Sequence, residues 1–255
     1  MARRGGPGAR RGGQRAGRTD PAAQSGAATG PGRSIWLRPE RAAAGRPPQH
    51  TRAEITAAAI AIADRDGLAA VSMRRVAADL GTGAASLYRY LDTREDLLDL
   101  MTDATGAGYA LPPPSGDWLA DLTVVGQQAR SLMRAHPWLP ALVITRPALG
   151  PHGLALLEHV LGVLAPHPAP LAAKLEAFAV LSTITAVFVQ HELAGGSAAQ
   201  RRNEAYLQQV LAAGDHPRLA QLLGTTAPGP AEAADPYPGI LARVLTGLLG
   251  PDSPA

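Results

Sequence analysis

Tyr88, Arg89 and Tyr90 follow one another in SLYRYLDTREDLL, residues 86–98, in a chain with five tyrosines among 255 residues. Side chains of these types suit the recognition of a planar or anionic partner. A guanidinium forks onto the O6 and N7 acceptors of guanine, and a phenol donates to phosphate or lays its ring edge on a thymine methyl. Ser86 adds a hydroxyl for a base or a phosphate. The rest of the chain offers little covalent or metal chemistry. There is no cysteine, which removes disulfides and thiolate metal sites. There is no Gly-x-Ser-x-Gly elbow, and the glycine-rich N-terminal stretch lacks the Gly-Lys-Ser/Thr ending of a phosphate loop. His152 and His159 stand seven apart rather than at the three- or four-residue spacing of helical ligands, and His191-Glu192 is not a zincin motif. The expectation is no metal, no cofactor and no catalysis.

The elements that must position Tyr88 and Arg89 are legible on both sides of them. TRAEITAAAIAIADRDG, residues 51–67, opens with a capping box of Thr51 and Glu54, carries an apolar face of Ile55, Ala58, Ala59 and Ile62, and stops at Gly67. VSMRRVAADLG, residues 71–81, has Ser72 as cap, with Val76, Ala77 and Leu80 inward and Gly81 at its end. AASLYRYL, residues 84–91, reads as a third helix with Leu87 and Leu91 inward. Thr93 and Asp96 cap a fourth that runs to about residue 105. Two short helices joined by Gly81-Thr82-Gly83 are the sequence form of a helix-turn-helix, whose second helix enters the major groove of DNA with its first residues toward the bases. Ala84, Ala85, Ser86, Tyr88 and Arg89 then face outward, with Tyr90 partly exposed. The competing reading, a tyrosine-rich helix packed on a neighbour, lacks an apolar stripe at 84–89 to support it.

Apolar residues make up 46% of the chain and aromatics 4%, punctuated by 28 glycines and 23 prolines. This favours several medium helices over a sheet, and no strand pattern competes with them, so the fold is expected to be all-α. The three prolines of GYALPPPSGD mark a boundary at 110–116. Helices are expected beyond it at about 117–135, 138–144, 151–164, 170–194, 198–213 and 237–249, with a second capping box at Ser197 and Gln200. Three parts result: a tail (1–46), a reading head (47–108) and a C-terminal helical domain (109–255). The tail holds ten arginines against Asp20 and Glu40, whereas the remainder carries five more acidic than basic side chains. Its composition predicts disorder, with only Ile35, Trp36 and Leu37 able to dock, and its arginines can add non-specific affinity for phosphate. Arg46 and Arg52, closest to the first helix, are candidates for an ordered arm on DNA. The longest apolar run, 177–189, is shorter than the about 20 residues of a bilayer span and contains Ser182, Thr183 and Thr185, so a buried helix and a cytoplasmic, nucleoid-associated protein without membrane contact are expected.

Residues 51–105 resemble the DNA-binding domain of TetR-family transcriptional regulators. TRAEITAAAIAIADRDGLAAVSMRRVAADLG, the short turn and SLYRYLDTREDLLDLM carry the resemblance. The last is similar to the family's Leu-Tyr-x-[His/Tyr]-[Val/Leu]-x-x-[Lys/Arg]-x-x-Leu-[Leu/Ile] signature. The second half resembles the tetracycline-repressor-like C-terminal domain through RSLMRAHPWLPALV, RPALGPHGLALLEHVLGVL and the 170–194 helix. The resemblance implies DNA contacts from Ser72 and Arg74, from Ala84, Ala85, Ser86, Tyr88, Arg89 and Tyr90, and a phosphate held by Arg94. It also implies a fourth helix that links DNA to a pocket among the C-terminal helices, and a homodimer on a palindromic double-stranded operator. The implied function is a repressor released by a small-molecule effector. Ala84 and Ala85 depart from the pattern because neither can hydrogen-bond a base, which leaves sequence reading to Arg89, Arg74 and methyl contacts.

The helix at 170–194 is apolar nearly all round and must be covered on more than one side. Phe178, Leu181, Ile184, Val187 and Phe188, with Leu241, Val244, Leu245 and Leu248, would form half of a four-helix bundle between two copies, or else fill the monomer's own core. Thr185, Gln190 and His191 are candidate polar pocket groups. His136, read as a residue at a helix C-terminus, joins them with Trp138. The rival function from another class is a small-molecule-binding helical protein, or an enzyme, with a vestigial reading head.

Overall fold

The computed structural model describes residues 34–38, 49–147, 149–195, 198–225 and 235–250; the remaining tail residues and Ser197 of the expected second capping box lie outside them. Among the described residues every regular element is helical.

Helix α1 (Arg52–Asp66) starts at the expected capping box. Thr51 Oγ1 accepts from the Glu54 N–H at 3.1 Å, and the Glu54 carboxylate accepts from the Thr51 N–H at 2.7 Å. Ile55, Ala59 and Ile62 are fully buried on its inner face. Helix α2 (Met73–Asp79) begins under Ser72, whose Oγ accepts from the Arg75 N–H at 3.2 Å. Its end is a Schellman motif: the Gly81 N–H reaches the Ala78 carbonyl and the Thr82 N–H the Ala77 carbonyl. That geometry places Gly81 at φ 66°, where a side chain would be strained.

Helix α3 (Ala84–Leu87) is four residues long, half of what periodicity suggested. The chain continues as turns through residue 90, which carry it inward so that Leu91 is completely buried and Tyr90 almost so. Helix α4 (Arg94–Thr105) opens with the expected cap, in which the Asp96 N–H donates to Thr93 Oγ1 and the Thr93 N–H to Asp96 Oδ2, both at 3.0 Å.

The C-terminal helices are α5 (Trp118–Ala135), α6 (Leu139–Thr145), α7 (Pro151–Val163), α8 (Leu171–Ala194), α9 (Ala198–Ala213), α10 (Pro217–Thr225) and α11 (Tyr237–Leu249). Helix α10 was not anticipated; its nine residues fall between the helices expected at 198–213 and 237–249. The proline-rich link is tied to α5, where the Gln128 side-chain amide both accepts from and donates to the Ala110 backbone. Helix α8 packs against α5, α6 and α11. By length and composition alone it could cross a bilayer; Ala177, Leu181, Thr185, Ala186 and Val189 are buried on the side that faces the protein's core, whereas Leu171, Leu175 and Leu193 are exposed.

Of the nine residues expected between two copies, Leu181, Leu241 and Leu245 are at most 1% exposed and fill the monomer's own core. Phe178, Ile184, Phe188, Val244 and Leu248 are half-buried, and Val187 is 39% exposed. Gly126 lets α11 lie close to α5, since a β-carbon there would come within 2.7 Å of the Tyr237 hydroxyl.

Three of these helices are clamped by one buried guanidinium. Arg130 on α5 pairs with Glu192 on α8 and with Asp235 before α11, and it lies over the rings of Phe188 and Tyr237, 5.1 and 4.9 Å from their centroids. Arg134 reaches the same Glu192 carboxylate at 2.8 Å. Burial pushes the Glu192 carboxyl up, but the hydrogen bonds from Arg130 and Arg134 outweigh it and hold the group below its ordinary value of 4.5. A carboxylate depressed in the folded state contributes its stabilisation fully above its unfolded value and loses it as pH falls through the folded one. Melting temperature should therefore drop as pH falls below about 4.5, and Glu192→Gln should lower it near neutrality while narrowing its difference from the unmodified protein in acid. Thermal melts followed by circular dichroism check this; parallel pH profiles would contradict it.

Candidate nucleic-acid interface

The outward face of the helix-turn-helix is built on two buried leucines. Leu87 and Leu91 are fully buried, which turns Ala85, Tyr88 and Arg89 outward and leaves Ala84 and Ser86 half-buried; Tyr88 is 52% exposed. The Arg89 guanidinium is folded back so that Nη2 donates to Ser86 Oγ at 3.0 Å, a bond it must exchange to reach a base. Arg74 is exposed on α2. Arg75 beside it is occupied by Asp66, 3.1 Å away, whose carboxyl is held below its usual range by the Arg65 hydrogen bond in the first place. Ser72 Oγ accepts the α2 cap and retains a hydrogen to donate.

Three expected contacts are corrected. Tyr90 is 8% exposed and belongs to the reading head's core, because it follows the turn that carries the chain inward. The Arg94 guanidinium donates to the Val71 and Leu68 carbonyls at 2.9 and 3.3 Å, so it braces the link between α1 and α2 instead of projecting from it. Arg52 turns back on the protein in the same way: Nε donates to the Tyr90 carbonyl at 3.1 Å, and Nη1 to the Arg38 and Ile35 carbonyls at 2.9 and 3.3 Å. Residues 34–38 of the tail are ordered, at the Ile35, Trp36 and Leu37 that the sequence marked as able to dock. Ile35–Leu37 form a 3-10 turn with Ile35 1% exposed, Trp36 half-buried and Leu37 63% exposed.

Of the candidate pocket groups, His136 and Trp138 meet on Asp64, but Thr185, Gln190 and His191 do not join them in one site. His136 is the C-cap of α5. Its Nδ1 lies 2.8 Å from Asp64 Oδ1 on α1, and the Trp138 indole N–H donates to that same oxygen at 2.6 Å. The Thr185 hydroxyl is buried between the Leu181 carbonyl and the Tyr237 hydroxyl, at 2.6 and 2.7 Å, whereas Gln190 and His191 are exposed. A separate open cleft of about 330 Å³ runs beside α5, lined by Gly108, Val124, Gln127, Gln128, Ser131 and Leu132.

His136 and Trp138 thus hold the two halves of the chain together, with two further aspartates. Asp99 on α4 accepts from Arg146 at the end of α6 at 3.1 Å. Asp103, also on α4 and 7% exposed, accepts from the His152 and Gly153 N–H groups at the start of α7, at 3.1 and 3.0 Å. Carboxylates of α1 and α4 therefore grip α6 at both ends. Sequence reading missed Asp64, Asp99, Asp103 and Arg38, since their partners lie 47 or more residues away.

Comparison with known proteins agrees with this geometry. The model of the tetR family of bacterial regulatory proteins matches residues 55–101, and that of the tetracyclin repressor-like C-terminal domain matches residues 111–249. The HTH-type transcriptional repressor DrrR1 of Streptomyces coeruleorubidus is 41% identical over 134 residues, 52% of this chain and 50% of DrrR1. The chain spans about half the length of the curated relatives it matches. Apo ActR from Streptomyces coelicolor superposes with a TM-score of 0.67 at 29% identity, over 80% of this chain and 97% of ActR. ActR in complex with (S)-DNPA superposes with 0.68, over 80% and 99%. With a buried-leucine helix-turn-helix at its head and over half its length matched by the C-terminal model, the chain belongs to the TetR family of bacterial regulators.

Proposed function

We propose that the chain is a DNA-binding transcriptional repressor, working in the cytoplasm as a homodimer on a two-fold operator and released by a small molecule bound in its C-terminal domain. The observation that carries this reading is Tyr88 and Arg89 standing exposed in the turn that ends the recognition helix, flanked by Leu87 and Leu91, which are wholly buried. Small residues at 84 and 85 let the helix backbone approach the bases. Arg89 forks onto a guanine, Arg74 reaches the same groove from α2, and Tyr88 and Ser72 donate to phosphate, which fixes register without reading sequence. The exposed and half-buried apolar residues of α8 and α11 support a dimer, which a two-fold operator requires.

The solved complex of ActR with (S)-DNPA supports a small-molecule effector. The cleft beside α5 is a candidate place for one, with Val124 and Leu132 as apolar wall and Gln127 and Ser131 as polar groups. A ligand that binds better when α6 is shifted would disturb α1 and α4 through Asp64 and Asp99. The coupling works equally in both directions and typically amounts to about 1–3 kcal/mol.

Arg89→Ala should relax base preference at one position per half-site at a cost of roughly 1–3 kcal/mol, while Tyr88→Phe weakens binding evenly across sequences. Selection from a random-sequence duplex library measures both; an unchanged preference for Arg89→Ala would remove that residue from the reading face. Leu245→Asp reports on folding, because Leu245 is fully buried. Val187→Asp, by contrast, should give a folded monomer, since a carboxylate at a buried interface costs several kcal/mol. Light scattering that shows an intact dimer would contradict the assignment of the α8 face.

A further inference from the structure

Residues 34–38 lie outside both family matches, which begin at 55 and 111, yet they are built into the reading head. Ile35 is 1% exposed in the same core as Leu87 and Leu91. Trp36 lies against the turn before α7, where a β-carbon on Gly150 would come within 2.5 Å of its Cε2. Arg38, with its side chain 16% exposed, pairs with both Asp92 and Asp96. Asp96 is a shared anchor: its other oxygen accepts from the Asp92 and Thr93 N–H groups at 2.9 and 3.0 Å. Burial pushes the Asp96 carboxyl up, and the Arg38 hydrogen bond with the backbone bonds holds it below its usual value. Arg52 closes the arrangement by donating to carbonyls of residues 35, 38 and 90.

We propose that residues 34–38 form a strap that sets the attitude of the recognition helix, with Arg38 and Arg52 as positioning residues for DNA reading; this rests on the DNA-binding reading above. A four-residue helix cannot orient itself, because one turn of backbone bonds does not repay the entropy of forming it. Its upstream flank is fixed by the Gly81 motif. The downstream flank, residues 88–93, is fixed by Arg52 at the Tyr90 carbonyl and by Arg38 at Asp92 and Asp96. Arg38 therefore acts on Tyr88 and Arg89 through the turn that follows them, without touching a base. The strap also packs against the turn before α7, so the reading head and the C-terminal domain share it.

The test compares the unmodified protein with Arg38→Ala and Arg38→Lys on two duplexes, one that the unmodified protein enriches from a random library and a scrambled version of it. A mispositioned helix should lose about what one mismatched base pair costs, roughly tenfold on the enriched duplex, against about twofold or less on the scrambled one. Arg38→Lys, which cannot fork onto two carboxylates, should recover part of the loss. Equal losses on both duplexes, or none on either, overturn the proposal. Should Arg38→Ala fail to fold, Asp92→Asn removes one of the two partners at an exposed site, and the same comparison decides. If the unmodified protein enriches no sequence, the DNA-binding reading fails, and hydrogen exchange of the free variants still decides the strap. Faster exchange confined to residues 86–96 supports it, and unchanged or uniformly raised exchange overturns it.

Discussion

A recognition helix of four residues closes barely one turn, so its direction must be imposed from outside. Leu87 and Leu91 impose it from beneath, both fully buried against the core that α1, α2 and α4 share. The Schellman turn at Gly81 imposes it from upstream, where the positive φ bends the chain within three residues. From downstream it is imposed by the α4 capping box and the guanidinium of Arg52 on the Tyr90 carbonyl. What remains free is the outward face, and its exposed side chains are those that can address a duplex.

The same economy governs the connection to the C-terminal domain. The reading-head core runs on without a break into Met133, Trp138, Leu139, Leu142, Ala186 and Val189. Its polar contacts converge on the ends of α6 and the start of α7, where three aspartates of the reading head meet donors from His136, Trp138, Arg146, His152 and Gly153. A buried carboxylate such as Asp103 is costly unless its hydrogen bonds are kept, so the α4–α7 junction prefers to move as a unit. Displacement of α6 would be felt by α1 and α4 through these bonds, as well as by α8, against which it packs.

Local signals in the sequence were sufficient for most of the elements, α10 and the length of α3 excepted, because capping boxes, glycine stops and a three- or four-residue apolar spacing act within one or two turns. Thr51 with Glu54, Thr93 with Asp96 and the inward pair Leu87 and Leu91 are of this kind. Long-range acceptors are not. Nothing near Arg94 or Arg52 announces that each will find backbone carbonyls, so both resembled free basic residues at the edge of a DNA surface. Tyr90 misled for a related reason: helical periodicity placed it outside, and the helix ends before it. Leu241 and Leu245 show the limit of an apolar stripe, which announces a covered face without saying whether the same chain covers it. The docking of Ile35 had one visible cue, an Ile-Trp-Leu triplet in a stretch dominated by glycine, arginine, alanine and proline.

The central claim is that the chain meets DNA through the outward side of α3. Amide hydrogen exchange of the protein alone and bound to a duplex it enriches tests this directly, because exchange reports opening and cover segment by segment. The account predicts slowed exchange at residues 72–75 and 84–90 on binding, with the middle of α8 unchanged. Protection that spares 84–90 and appears elsewhere would contradict it.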